Sequence, residues 1–214
     1  MKKNNPTLII LAGGKSSRMK ILKGLLPYKK SYWILAQMDA FKAGETVCIG
    51  LGFDKELYFD AIPWLKDAIK EPQTYHGKKV RVVINQTPEF GLLSTLQAVL
   101  RGIDNFSTPN DVLILPIDVP LLKASEVEKI ISEENEVVIP NYRQKNGHPV
   151  KLAVGFWKSL LGLDPQDQNA RLDVQIKKLT STAVSIVNVD DENCIQNLNT
   201  PESWKAFISK LPPE

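Results

Sequence analysis

Cysteine and histidine are scarce in this chain of 214 residues, which has two of each. Cys48 and Cys194 cannot supply a disulfide framework or a four-thiolate metal site, so we expect both thiols to be reduced and buried. His76 and His148 are far apart in sequence, and a zinc site would need unusual carboxylate help. No serine lies in a Gly-x-Ser-x-Gly sequence, so the sequence gives no support for a hydrolase triad.

Long apolar runs and an excess of one charge are also missing. The apolar run after Thr7 reaches Gly13 after five residues, whereas a signal peptide needs about 7 to 15 and a membrane span about 18. The 27 Lys and Arg against 24 Asp and Glu leave a net charge of +3. This small, interspersed charge does not predict binding to nucleic acid or to a membrane surface. We therefore expect a soluble cytoplasmic protein with a small, charged ligand.

The apolar pattern predicts an α/β fold. Short β-branched runs predict strands at residues 7–12, 45–50, 80–85, 112–117, 136–140 and 183–189. Apolar spacing near 3.6 predicts helices at residues 33–41, 56–69, 93–103, 125–131 and 201–208. Such alternation is typical of a mainly parallel sheet with helices on each side. We expect one domain over residues 1–214, in which residues 141–171 break the alternation and form an excursion beside the ligand.

A glycine turn with hydroxyl and basic residues follows the first predicted strand. Gly13 and Gly14 would let backbone N–H groups approach phosphate oxygens, and Ser16, Arg18 and Lys23 add a hydroxyl and two positive charges. The spacing matches neither G-x-G-x-x-G nor the P-loop G-x-x-x-x-G-K-[ST]. These residues alone leave two alternatives open: a phosphate-binding loop, or a glycine turn whose basic side chains are solvated.

Asp118 stands at the carboxyl end of a predicted strand, between Pro116 and Pro120. An isolated carboxylate there is costly unless it is paired or binds a cation. Ligands bind at this end of parallel strands, so Asp118 is a candidate ligand of Mg²⁺. The alternative, that Asp118 caps the helix predicted at residues 125–131, is disfavoured because seven residues separate it from Ser125.

Two asparagines, Asn197 and Asn199, precede a predicted helix start. On an extended segment both amides would point to the same side and could reach one metal or ligand. Thr200 followed by Pro201 is typical of a helix N-cap and first helical position.

Taken together, these segments resemble the MobA-like nucleotidyltransferases, the family of the guanylyl- and cytidylyltransferases of molybdenum-cofactor synthesis. The opening signature of that family, LA[GA]G-x-S-x-R-M-G-x-x-K, is matched here by Leu11, Ala12, Gly13, Gly14, Ser16, Arg18, Met19 and Lys23. Lys20 replaces the last glycine of the signature. Later elements that are similar to those of the family are Asn85 with Gly91, Asp118 with Pro120, and residues 147–150, 167–171 and 197–202.

The resemblance implies a three-layer, Rossmann-like nucleotidyltransferase fold. It also implies transfer of a nucleoside monophosphate from a nucleoside triphosphate to a phosphorylated acceptor, with release of pyrophosphate. Catalytic roles would fall to Arg18, Lys23 and Asp118, and Mg²⁺ would be held by Asp118 and Asn199. Nucleotide-binding roles would fall to Leu11, Ala12, Gly13, Gly14, Ser16, Asn85 and Gly91. Acceptor-binding roles would fall to His148, Arg171 and Asn197.

The resemblance leaves the donor and the acceptor open. LAGG and the closing N-x-N-T-P are typical of members that use GTP, whereas the Gly147-His148-Pro149 element and the spacing from Arg18 to Lys23 are typical of members that use CTP. GTP is favoured because Gly13 lies in the nucleotide loop itself. The expected acceptor is a molybdopterin cofactor. The alternatives are a sugar or alditol phosphate acceptor, and a nucleotide-binding sensor without turnover.

Overall fold

The structure is a computed structural model that describes residues 5–19, 21–106 and 109–211, so that Lys20 lies outside the described residues. The strands are β1 (Thr7–Ala12), β2 (Pro27–Tyr28), β3 (Ser31–Tyr32), β4 (Thr46–Leu51), β5 (Gln73–Tyr75), β6 (Lys78–Ile84), β7 (Val112–Pro116), β8 (Val137–Tyr142), β9 (Lys145–Asn146), β10 (Val150–Leu152) and β11 (Val184–Asn188). The helices are α1 (Trp33–Ala40), α2 (Lys55–Ala61), α3 (Trp64–Asp67), α4 (Leu92–Phe106), α5 (Ala124–Ser132), α6 (Val154–Leu160), α7 (Leu172–Lys177) and α8 (Pro201–Ser209). Short 3₁₀ helices lie at Lys23–Leu25, Pro88–Phe90, Gln168–Ala170 and Glu192–Ile195.

The main sheet has the strand order β11-β8-β10-β7-β1-β4-β6-β5, with β9 paired to β8. The pairs β1 with β4, β1 with β7, β4 with β6, and β8 with β11 are parallel. Strands β5, β9 and β10 run antiparallel to their neighbours. The predicted α/β fold with a mainly parallel sheet is confirmed.

Helices cover both faces of this sheet because side chains along β1 alternate between two apolar layers. Leu8, Ile10 and Ala12 pack with α1, α2, α3, α5 and α8. Ile9 and Leu11 pack with α4, α6 and α7 on the other face. Every β1 residue is buried, as expected for a central strand of a parallel sheet. The result is the three-layer arrangement that the resemblance implied.

The helix predicted at residues 56–69 is wrong, since the structure has two helices there. Helix α2 ends at Ala61 and α3 begins at Trp64. Pro63 lacks an N–H group and disfavours a helical conformation at the residue before it. Ile62 accordingly has φ −138° and ψ 77°, outside the helical region.

Residues 141–171 contribute a strand that the apolar pattern did not predict. Strand β10 lies between β7 and β8 and is antiparallel to both. Its central residue, Lys151, hides the strand pattern, because a lysine is rarely buried. Here Lys151 is 2% exposed, and its ammonium lies 3.3 Å from the Asp111 carboxylate. The ion pair allows a charged residue to occupy the middle of the sheet.

Both cysteines are free and buried, as expected. Burial raises the pKa of the Cys48 thiol to about 12 and that of the Cys194 thiol to about 11, so both stay protonated at neutral pH. Among the helices that the structure describes, none is long and apolar enough to cross a membrane.

Candidate active site

A cavity of about 210 Å³ lies at the carboxyl ends of β1 and β7. Ligands of open parallel sheets bind at this edge. The predicted site residues that line the cavity are Leu11, Gly13, Gly14, Ser16, Lys23, Gly91 and Asp118. The cavity therefore brings together the turn after β1, the start of α4 and the turn after β7.

Lys23 is the centre of the polar contacts in this cavity. Its ammonium donates to Asp118 Oδ2 at 3.1 Å and to Asn199 Oδ1 at 2.5 Å. Its backbone N–H donates to Ser16 Oγ at 3.2 Å, which ties Lys23 to the turn after β1. The Lys23 and Asp118 side chains are 15% and 20% exposed, so the pair is reachable from solvent. Residues far apart in sequence thus form one charged cluster.

Asp118 and Asn199 are suited to hold a divalent cation. Their oxygens converge on a single cationic atom, the Lys23 Nζ, and carboxylate and amide oxygens are hard ligands. In the described part of the chain, no group of three or more His, Cys, Asp and Glu residues could form a closed metal cage. Mg²⁺ does not require such a cage, because it commonly binds one or two carboxylates and completes its shell with water and substrate phosphates. The donor set fits Mg²⁺.

The backbone that carries Asn199 is attached directly to Asp118. The Leu198 N–H donates to the Asp118 carbonyl at 2.7 Å, which places the next side chain beside Lys23. Asn197 does not join that cluster: its side chain is exposed, and its amide donates to the Ile195 carbonyl at 3.3 Å. The acceptor-binding role of Asn197 stays a prediction.

The helix that follows these asparagines begins as predicted. Thr200 caps α8 by accepting from the Ser203 N–H, and Ser203 Oγ accepts from the Thr200 N–H in return. Pro201 occupies the first helical position, where its missing N–H costs nothing. Asp118 has no capping role, since α5 begins at Ala124 after Lys123. The capping interpretation of Asp118 is thereby excluded.

Of the residues predicted to have catalytic or nucleotide-binding roles, three do not line the cavity. Ala12 is buried in the core, and Arg18 is exposed, with no ion-pair partner among the residues described. Asn85 is 5% exposed and donates to Ser94 Oγ at 2.8 Å and to Thr95 Oγ1 at 3.0 Å. This amide ties the end of β6 to the first turn of α4.

A close approach between backbone and side chain explains Gly13. A Cβ atom at this position would lie 2.7 Å from Thr95 Oγ1 and 3.1 Å from Thr95 Cγ2. Thr95 cannot easily rotate away, because its hydroxyl accepts the bond from Asn85. The Gly13 carbonyl also accepts from the Phe53 N–H at 3.2 Å, so the backbone is held as well.

We expect Gly13→Ala to lower the free energy of unfolding by about 1–3 kcal/mol, as overpacking generally does. Thr95→Ala removes the two atoms that the new methyl group meets. The double variant should therefore be more stable than the sum of the two single changes predicts. Urea unfolding of the four proteins measures this coupling, and purely additive losses would contradict the contact.

A second cavity, of about 720 Å³, adjoins the first. Gly91 and Leu92 line both, so the two cavities share a wall at the start of α4. His148 and Arg171 line the larger cavity, among mostly apolar side chains. Arg171 is exposed, with its Nε 3.0 Å from Asp173 Oδ1. Two of the three predicted acceptor residues thus face one space beside the Lys23 cluster.

The His148 imidazole interacts electrostatically with the Asp118 carboxylate. Burial lowers the pKa of the His148 imidazole, and the Asp118 carboxylate opposes this effect by raising it. Since the net pKa is below its usual value of about 6.5, the ring is mainly neutral at neutral pH. A neutral ring can both donate and accept one hydrogen bond in the larger cavity.

Two further residues contact the backbone around Asp118, and the motifs did not indicate them. The Trp33 indole donates to the Ile117 carbonyl at 2.8 Å. The Gln37 amide donates to the Val119 carbonyl at 2.6 Å. The sequence offers one signal for this contact: Gln37 is a polar residue that lies one turn after Trp33, on the apolar face of a predicted helix.

A comparison with family models decides the family, since the model described as "MobA-like NTP transferase domain" matches residues 8–180. The chain belongs to this family. It is 28% identical over 216 residues to the molybdenum cofactor guanylyltransferase of Campylobacter jejuni (strain RM1221), which covers 99% of this chain and 100% of that protein.

Solved structures share the fold of this chain. The manganese complex of Rv0371C from Mycobacterium tuberculosis superposes with a TM-score of 0.67 at 19% identity, covering 97% of this chain and 100% of that one. The molybdopterin-guanine dinucleotide biosynthesis protein A from Archaeoglobus fulgidus gives a TM-score of 0.64 at 16% identity, covering 96% and 100%. The resemblance stated from the motifs is confirmed, and the MobA-like chain is a nucleotidyltransferase.

Proposed function

We propose that this nucleotidyltransferase moves GMP from GTP to a phosphorylated acceptor of the molybdopterin kind, with Mg²⁺ as its cofactor. The observation that carries the proposal is the convergence of Asp118 and Asn199 on Lys23, beside a cavity lined by Gly13 and Gly14. The full-length similarity to a protein named as a guanylyltransferase supports GTP as the donor.

The reaction is a displacement at the α-phosphorus of the donor. An oxygen of the acceptor phosphate forms the new bond, the bond between the α-phosphorus and the bridging oxygen breaks, and pyrophosphate leaves. A phosphate monoester has a second pKa of about 6, so it is largely ionised at neutral pH. The reaction needs no general base, and alignment and charge neutralisation are what remains for the protein to provide.

The side chains around the smaller cavity suit these tasks. Backbone N–H groups at Gly13 and Gly14 face the triphosphate, and Lys23 neutralises its charge. Arg18, which is exposed and does not line the cavity, adds positive charge from the same loop. Lys23 then exchanges its contacts with Asp118 and Asn199 for phosphate oxygens. Those two side chains are left to hold Mg²⁺, which when bound supplies Lewis-acid neutralisation of the phosphates.

The larger cavity is the proposed acceptor side. Residues 141–171 contribute His148 and Arg171 to it. The shared wall at Gly91 and Leu92 would place an acceptor phosphate near the donor in the smaller cavity. The guanidinium of Arg171 supplies positive charge for an anionic acceptor.

The donor is tested by thermal unfolding with GTP, CTP, ATP and UTP, each with Mg²⁺ and with EDTA. A ligand at 100 times its dissociation constant stabilises the folded state by about 2.7 kcal/mol. We expect the largest shift with GTP and Mg²⁺, and a smaller one when EDTA removes the metal. A larger shift with CTP would contradict the proposed donor, and no shift with any nucleotide would contradict nucleotide binding itself.

The acceptor is tested by pyrophosphate release from GTP in the presence of molybdopterin, a sugar phosphate or an alditol phosphate. Release with molybdopterin alone is the expected result. Release with a sugar phosphate or an alditol phosphate would contradict the proposed acceptor and identify that class of phosphate as the acceptor instead. Binding of GTP without release in any mixture would favour the sensor alternative.

A further inference from the structure

The backbone around Asp118 is held on both sides by one face of α1. Pro116 to Val119 form a β-turn in which the Val119 N–H donates to the Pro116 carbonyl at 3.0 Å, with Asp118 as the third residue. The Trp33 indole binds the carbonyl before Asp118, and Gln37 binds the carbonyl after it. These two side chains are four residues apart and lie one above the other on the helix.

Gln37 makes a second bond to the same segment. Its Oε1 accepts from the Leu121 N–H at 3.0 Å, so that one amide spans Pro120, which has no N–H of its own. Gln37 is 2% exposed, and both polar ends of its side chain are therefore satisfied within the protein. The Asp118 carbonyl is bound by the Leu198 N–H. Three successive carbonyls are thus fixed in the turn that carries the Asp118 side chain to the cavity.

We propose that Trp33 and Gln37 are positioning residues that fix the direction of the Asp118 carboxylate for the metal. The proposal rests on the proposed function, in which Asp118 holds Mg²⁺. Groups that orient metal ligands commonly change metal affinity by about 10- to 100-fold when they are removed. Neither residue touches the smaller cavity, so both act through the turn that carries Asp118.

The chain offers a matched control for each residue on the opposite face of the sheet. Gln97 is also buried and donates to the Leu160 and Leu163 carbonyls at 2.8 Å each. Trp157 is also buried and donates through its indole to the Asn110 carbonyl at 3.0 Å. Each control removes the same chemistry from a similar environment, away from Asp118.

The experiment compares Gln37→Met with Gln97→Met, and Trp33→Phe with Trp157→Phe. Mn²⁺ binding in the presence of GTP is followed by the electron paramagnetic resonance signal of free Mn²⁺, and GTP binding in EDTA is followed by thermal unfolding. We expect Gln37→Met and Trp33→Phe to weaken Mn²⁺ binding at least about 10-fold and to leave GTP binding in EDTA unchanged. The controls should lose stability only.

Several results would overturn the proposal. Equal Mn²⁺ affinity in Gln37→Met and Gln97→Met would make Gln37 a structural residue and no more. If Gln37→Met does not fold, Trp33→Phe decides, because it keeps an aromatic ring against Trp204 and Phe207 while it loses the indole bond. The packing volume that it also loses is matched in Trp157→Phe. Absence of Mn²⁺ binding in the wild-type protein would overturn the proposed metal role of Asp118, and the positioning role with it.

Discussion

Replacing Asp118 by asparagine should lower the rate of pyrophosphate release by more than about 100-fold, beyond the loss typical of residues that only support a metal ligand. The amide keeps the volume of the side chain and removes its negative charge. Lys23 keeps its bond to Asn199 and remains reachable by solvent. The free energy of unfolding should therefore fall by only about 1 kcal/mol.

Asp190→Asn is the matched control for this change. The Asp190 side chain is 98% exposed and lies 4.0 Å from Lys129, so its loss should alter neither rate nor stability. Steady-state rates are measured over a range of Mg²⁺ concentrations for the wild type and both variants. Wild-type turnover in Asp118→Asn at ordinary Mg²⁺ concentrations would show that this carboxylate is not a metal ligand.

The parts of the fold that could be predicted are those whose pattern is local. Strand β1 is buried on both faces, and its apolar run gives its position directly. Strand β10 could not be found in this way, because Lys151 is neutralised by Asp111 and the ion pair exists only after folding. The break at Pro63 was visible in the sequence, but the apolar spacing on both sides of it concealed the end of α2.

The same distinction between local patterns and contacts made only on folding applies to the candidate site. Gly13, Lys23 and Asp118, which line one cavity, could be predicted as a group because their residue types suit a phosphate or metal site and their spacing matches a known family. Trp33 and Gln37 act through carbonyls of a distant turn, and no spacing in the sequence relates α1 to β7. Their role became visible only when the fold brought these elements together.

For Asn197 and Asn199, the argument from side-chain alternation describes only part of what the structure shows. Alternation on an extended segment predicts that Asn197 and Asn199 face the same side. The structure places residues 196–199 outside the sheet, where no ladder enforces that alternation. Asn199 reaches Lys23, and the Asn197 amide turns to the Ile195 carbonyl instead.

Gly147→Ala should be the most destabilising single change among the glycines of the described residues. A Cβ atom at Gly147 would lie 1.9 Å from the Cys194 carbonyl oxygen and 2.6 Å from the Cys194 carbonyl carbon. These are backbone atoms that cannot rotate away, and the same oxygen accepts from the His148 N–H at 2.9 Å. We expect a loss of about 3 kcal/mol, the upper end of the usual range for overpacking, in urea unfolding.

Gly155→Ala provides the control, because a Cβ atom there meets nothing within 4 Å and the residue lies in α6. Alanine is favoured over glycine inside a helix by about 0.5–1 kcal/mol, so this variant should be as stable as the wild type or slightly more stable. Equal stability of the two variants would contradict the close contact at Cys194. If the contact holds, packing within the chain is sufficient to explain the glycine of the Gly-His-Pro element.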